Sequence, residues 1–163
     1  MANRTAWTAG NGAGLTWTTA INSADMASMA TAYTVLSSVA DIANGTALDQ
    51  FMDISAELAI ASSTIAAGAN LALWIYPLHD DGATYGDGQM TAGTPVSKTP
   101  TFAPCATMPL YAAASQTALV GFAQGVIIPP GSFRLAIQNN SGFTLTSGTQ
   151  TVKYRTYNIN LNS

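Results

Sequence analysis

The stretch that decides the fold runs from Ala118 to Leu161 and reads ALVGFAQGVIIPPGSFRLAIQNNSGFTLTSGTQTVKYRTYNINL. Within it, Phe133, Leu135 and Ile137 alternate with polar or small residues, the pattern of a strand with one buried face and one solvated face. Gly, Pro or Asn occupies each break between apolar runs, where these residues supply the backbone angles of tight turns. The stretch therefore predicts an antiparallel unit of strands and turns, on which the rest of the chain packs.

Further strand patterns precede this stretch. Residues 51–60 alternate between an apolar face and a face that carries Asp53 and Glu57. Strand rise places the Cα atoms of these two residues about 13 Å apart, too far for a paired-carboxylate site, so we interpret them as part of a solvated face. Residues 71–78 are apolar on both faces. Both faces should therefore be covered, the second by a loop, by the N-terminal arm or by another subunit.

The complete pattern predicts an all-β protein. Residues 33–39 and 107–113 add further strand candidates, which brings the total to about eight, with no long helix and no alternation of strands and helices. We expect an antiparallel β-sandwich of jelly-roll type. Residues 1–30 are expected to form a partly extended N-terminal arm, with one helical turn capped by Ser23. Residues 31–163 are expected to form a single sandwich domain with a long loop at 79–109.

The composition excludes some classes of function. Charged residues make up 8% of the 163 residues, only five are Lys or Arg, and the net charge is -3, which argues against a nucleic-acid partner. The run 58–78 lacks charge but is interrupted by polar residues and glycine, so it predicts two strands rather than a membrane span. The first residues lack the apolar run of a secretion signal. A neutral polar surface suits a protein that lies inside an assembly or in a harsh external environment.

Few residues in the sequence are candidates for catalysis or metal binding. A nucleophile pair of Cys105 and His79 is conceivable from residue types alone, but no thiol-enzyme signature flanks Cys105. Asp80, Asp81 and Asp87 offer oxygen ligands for Ca²⁺, but Asp and Gly are also the usual residues of turns, and a plain structured turn is the favoured interpretation. The sequence predicts no catalytic residue, no cofactor and no enzyme activity.

Five aromatic residues are candidates for an interface. They are large apolar side chains that pack either in a core or against a partner, and comprise Trp7, Trp17, Trp74, Tyr76 and Tyr85.

Three segments resemble a family of small β-sandwich proteins from the virions of tailed bacteriophages. They are residues 71–88 (LALWIYPLHDDGATYGDG), residues 128–142 (IPPGSFRLAIQNNSG) and residues 152–158 (VKYRTYN). Members resemble the jelly-roll cement or decoration proteins that tie capsomers together. The resemblance implies a location on the outer surface of the capsid, with the major capsid protein and further copies of the chain, as a homodimer or homotrimer, as partners. It implies no catalytic residues. The alternative is a receptor- or glycan-binding module of a head or tail fibre.

Overall fold

A computed structural model describes the backbone of residues 4–9, 15–79, 84–85 and 90–162, and the side chains of residues 15–78 and 90–159. These residues form one short helix, α1 (Ser23–Met26), and the strands β1 (Arg4–Ala9), β2 (Thr18–Ile21), β3 (Thr34–Leu36), β4 (Ile42–Ala43), β5 (Phe51–Ser63), β6 (Asn70–His79), β7 (Thr84–Tyr85), β8 (Ala106–Pro109), β9 (Gln116–Ile127), β10 (Ser132–Asn140) and β11 (Leu145–Asn162).

The strands form two antiparallel sheets. In the first sheet, β1 and β2 both pair with β11, followed by β5 and then β9. In the second sheet, β3 and β4 both pair with β10, followed by β6, which pairs with β8 and β7. The predicted all-β antiparallel sandwich is confirmed.

The strands of the stretch 118–161 are confirmed, but they do not form one unit. β9 and β11 lie in the first sheet and β10 lies in the second, because the chain crosses the sandwich at each turn. At the end of the stretch, the turn residues Ser147 and Gly148 predict a short strand followed by a separate closing strand, but the two form one strand, β11. Its pairing with β5 shifts register between Leu145 and Gln150.

The core lies between the two sheets. Phe133, Leu135 and Ile137 of β10 are buried as predicted. They belong to one cluster with the apolar face of β5 and the inner face of β6, which comprise Met52, Ile54, Ala56, Leu58, Ile60, Leu71, Leu73 and Ile75. The alternation in the sequence therefore identified which face of these strands is buried.

The sandwich begins earlier than the expected boundary at residue 31. Strand β2 pairs with β11, and Ile21, Met26 and Met29 are buried in the main core. The helix N-cap is Asn22, whose side chain makes no capping bond, so the prediction of Ser23 as the cap is wrong. Instead the Ser23 Oγ accepts a hydrogen bond of 3.0 Å from the backbone N–H of Gln150. This part of the expected arm is thus attached to β11.

The outer face of the second sheet is covered by the chain's own loop. Trp74 and Tyr76 of β6 are buried there, in a small cluster against which Met90 packs. The indole Nε1–H of Trp74 donates a hydrogen bond of 2.9 Å to the carbonyl of Phe102, whose ring lies edge-on at 5.0 Å from that of Tyr76. Of the three covers expected for residues 71–78, the loop is the one observed.

This cover also changes the exposure of β10. Ala136 and Gln138, predicted on a solvated face, are buried. The Gln138 amide donates a hydrogen bond of 3.0 Å to Thr99 Oγ1 in the covering loop.

Candidate functional site

Strand β9 forms an open edge of the first sheet. It pairs with β5 on one side, and no strand in the described part of the chain pairs with its other side. Its residues alternate, so that Leu119 points into the core while Val120 and Phe122 point outward and are 63% and 46% exposed. Exposed strand edges offer unpaired backbone N–H and C=O groups to a partner.

A groove separates β9 from β8, the nearest strand of the second sheet. Its volume is about 650 Å³, and residues 105–107 and 122–127 line it. The two strands approach closely at Gly121, because a Cβ atom there would lie 3.0 Å from the Cβ of Met108. The φ of Gly125 is +63°, which glycine adopts without strain, and it lies where the pairing of β9 with β5 shifts register.

A smaller cavity continues the groove beyond the end of β9. It measures about 250 Å³, and Leu48, Ile127 and Pro130 contribute to its lining. Leu48 and Ile127 are 58% and 76% exposed. We call Leu48, Val120, Phe122 and Ile127 the β9 strip. In the described part of the chain the other large exposed apolar side chains are Leu15, Phe102 and Tyr111, so exposed apolar groups concentrate along β9.

The strip is electrically neutral along its strand, since no charged residue occurs between Thr99 and Phe133. The charged side chains nearest in the sheet belong to β5 and β11. Glu57 stands opposite Val120 in the β5–β9 register, and Lys153 lies one strand further away. A partner that binds the strip therefore meets an apolar surface without a field of one sign.

An ion pair between Asp53 and Arg155 lies beside the strip, and the prediction that Asp53 belongs to a solvated face is wrong. Although Asp53 belongs to the outward face of β5, its side chain is buried, not solvated. The Arg155 guanidinium donates to Asp53 Oδ2 through Nε at 3.0 Å and through Nη2 at 2.8 Å. The Tyr157 hydroxyl and the Gly125 backbone N–H each donate to Asp53 Oδ1 at 3.1 Å. Asp53 therefore joins β11 to the irregular end of β9, while Glu57 stays exposed as predicted.

The aromatic groups around this ion pair hold it in place. Trp17 contacts Phe122 edge-on with 6.1 Å between ring centroids, and the Arg155 guanidinium lies 4.8 Å above the Trp17 ring. Burial raises the pKa of Tyr157, and the hydrogen bond to Asp53 raises it further because the phenolate would face a carboxylate. The Tyr157 hydroxyl is thus a stable hydrogen-bond donor and not an acid.

The five predicted interface residues lie in different surroundings. Trp17 is half-buried beside the β9 strip. Trp74 and Tyr76 are enclosed by the loop of their own chain, so they are not available to a partner. The side chains of Trp7 and Tyr85 lie outside the described residues. Sequence reasoning missed the strip itself, although the apolar residues on both faces of 118–128 were a signal for it.

The candidate chemical groups do not form a site in the described residues. The thiol of Cys105 donates a hydrogen bond of 3.3 Å to the carbonyl of Leu73, although the residue as a whole is exposed. Burial of the sulfur raises its pKa to about 11, which keeps it protonated near neutral pH. Asp80, Asp81, Asp87 and the side chain of His79 lie outside the described residues. Elsewhere in the described chain no three metal-ligating side chains come together.

Comparisons with known protein families, with curated proteins and with solved structures found no match for this chain. Among the described residues, no helix has the length and apolar character needed to cross a bilayer.

Proposed function

We propose that this chain is a capsid decoration protein that binds the outer shell of a virion and stabilises contacts between major capsid subunits. The observation that carries the proposal is the exposed apolar β9 strip on a surface with few charges. Exposed apolar groups along one edge of a sheet are typical of a surface that a protein partner covers. The resemblance of three segments to phage virion proteins supplies the class of partner.

The pairing of the strands supports a jelly roll as the form of the sandwich. Eight strands are counted in chain order, leaving out β1, β4 and β7. Antiparallel pairs then join the first strand with the eighth (β2 and β11), the second with the seventh (β3 and β10), the third with the sixth (β5 and β9) and the fourth with the fifth (β6 and β8). Nested pairing of this kind is expected when two Greek keys are folded into one sandwich.

A decoration protein acts by binding the assembled shell and not its separate subunits. Such binding lowers the free energy of the assembled state by mass action, so that disassembly requires prior release of the decorating chain. A domain without a catalytic site can perform this task, since only its surface has to fit the shell. A rigid sandwich with few charges on its surface meets that requirement, and its exposed apolar β9 strip indicates that the chain acts within an assembly.

The receptor- or glycan-binding alternative has less support. It needs exposed aromatic rings near residues 79–109, on which sugar rings could stack. Trp74 and Tyr76 are buried beneath that segment. The exposed rings in the described part of this region are Phe102, which packs edge-on against Tyr76, and Tyr111, so the alternative rests on these two rings.

The experiment compares capsids that carry the chain with capsids assembled without it. We expect capsids that lack the chain to release their genome at a lower temperature, as measured by a fluorescent dye that binds exposed DNA. Adding the purified chain back should restore the release temperature. Equal heat resistance of the two capsid preparations, or failure of the purified chain to bind them, would refute the proposed function.

A further inference from the structure

The open edges of the two sheets differ in length and in protection. β3, β4, β7 and β8, at the edges of the second sheet, are two to four residues long, and β8 ends in Pro109. β9 has 12 residues and contains no Pro, Lys, Arg, Asp or Glu. Proteins normally protect an edge strand with charge, proline or short length, because an open edge pairs with other strands. β9 has two irregularities in its pairing with β5, one at Gly125 and one between Gln116 and Ala118, and residues 118–123 between them pair in unbroken register.

We infer that the β9 edge is the contact between two copies of this chain, which pair β9 with β9 in antiparallel orientation about a two-fold axis. This inference rests on the proposed function, because it treats the β9 strip as a surface used in an assembly. A second copy of the chain is then the partner at the strip, and the shell binds other parts of the surface.

In this arrangement β9 of one copy is complementary to β9 of the other copy. With the axis at Gly121, Val120 of one copy stands opposite Phe122 of the other, and the same pair recurs on the far side of the axis. Pairs of an aromatic with a β-branched residue across two strands are stabilising. Because residues 99–133 carry no charge, two identical edges meet without Coulomb repulsion.

The length of the β9 edge fits a dimer contact. A rise of about 3.4 Å per residue makes β9 about 40 Å long, and two sheets about 10 Å apart give an edge roughly 20 Å wide. Because β8 has four residues, roughly 800 Å² per copy is the upper bound of this edge, which is the area that each partner buries in a complex of standard size. The groove beside β8 and the cavity beside Leu48 lie within this edge and provide space for side chains of the second copy.

The test measures the mass of the purified chain of 163 residues by analytical ultracentrifugation over a range of concentrations. We expect the wild type to have twice the mass of the 16.8 kDa chain. Val120→Lys should weaken the dimer at least about a hundredfold, because two ammonium groups on strand positions about 7–8 Å apart would oppose each other at the axis. Two controls should stay dimeric. Val120→Thr keeps the shape of the side chain, and Tyr111→Lys adds the same charge at a residue 82% exposed outside β9.

A wild type that remains monomeric up to about 1 mM, where even weak association is detectable, would overturn the inference. So would a trimeric mass, or a dimer that Val120→Lys leaves unchanged. Circular dichroism of each variant verifies that it is folded. Binding to capsids is measured separately. A monomer that still binds capsids overturns this inference and leaves the proposed function standing, whereas a dimer that binds no capsid does the reverse.

Discussion

The strands β6 and β9 both carry apolar side chains on their outer faces, but these side chains have opposite surroundings. Both strands carry apolar residues on their inner and outer faces. The loop at residues 90–105 closes over Trp74 and Tyr76 of β6, whereas Val120 and Phe122 of β9 stay 63% and 46% exposed although Trp17 contacts the Phe122 ring. An apolar outer face therefore does not by itself indicate an interface. The face is free for a partner only where no long segment of the same chain lies close enough to cover it.

The largest effect is expected at the covered face. Trp74→Ala should lower the free energy of unfolding by about 3–5 kcal/mol, because it removes a buried aromatic ring and its hydrogen bond to the covering loop. Urea unfolding followed by circular dichroism measures this loss. Trp74→Phe, which keeps a ring but lacks the N–H, should lose less.

The matched change at the open edge is Val120→Ala. It should alter the unfolding free energy of the monomer by no more than about 0.5 kcal/mol, since the side chain is largely exposed. Equal losses for Trp74→Ala and Val120→Ala would contradict the distinction between a covered and an uncovered face.

Cys105 provides an intermediate test, because it precedes β8 at the end of the covering loop and also lines the β9 groove. Raising the pKa of its thiol from 9.0 to about 11 lowers the thiolate fraction near neutral pH about a hundredfold. We expect alkylation by iodoacetamide to be slower by about that factor than for an unstructured cysteine peptide. The rate should rise with pH until about 11. Alkylation at the peptide's rate would show that the loop does not hold the sulfur against Leu73.

A smaller loss than that for Trp74→Ala is expected at the ion pair beside the strip. Asp53→Ala removes four hydrogen bonds, but Arg155 is partly exposed and can turn to solvent. We therefore expect a loss of roughly 2 kcal/mol in unfolding free energy. Glu57→Ala, on the same face of β5 but exposed, is the matched control and should change it by less than about 0.5 kcal/mol. A loss for Glu57→Ala as large as that for Asp53→Ala would mean that Asp53 has no special role.

The sequence predicted the parts of the fold that depend on local pattern. The alternation of Phe133, Leu135 and Ile137 and the turn residues between strands indicated the strands and their buried face. They did not indicate which strands pair, because β9, β10 and β11 are consecutive in the chain and pairing depends on crossings between the sheets. The burial of Asp53 was missed for the same reason, since its partners Arg155 and Gly125 come from other strands.

The candidate site was harder to predict than the fold. Trp74 and Tyr76 were chosen because they are large and aromatic, yet a loop without a regular pattern covers them. The strip on β9 consists of ordinary aliphatic residues and one phenylalanine, and its significance comes from the position of β9 at a sheet edge. Edge position is a property of the topology and cannot be derived from the composition of a strand.

The most direct test of the account is photo-cross-linking in assembled virions. A photoreactive amino acid replaces Val120 in one sample and Tyr111 in another, and mass spectrometry identifies the partners after irradiation. We expect links from position 120 to a second copy of this chain, and links to the major capsid protein from position 111, outside the strip. Links to fibre or tail proteins, without links to the major capsid protein, would contradict the assignment as a capsid decoration protein.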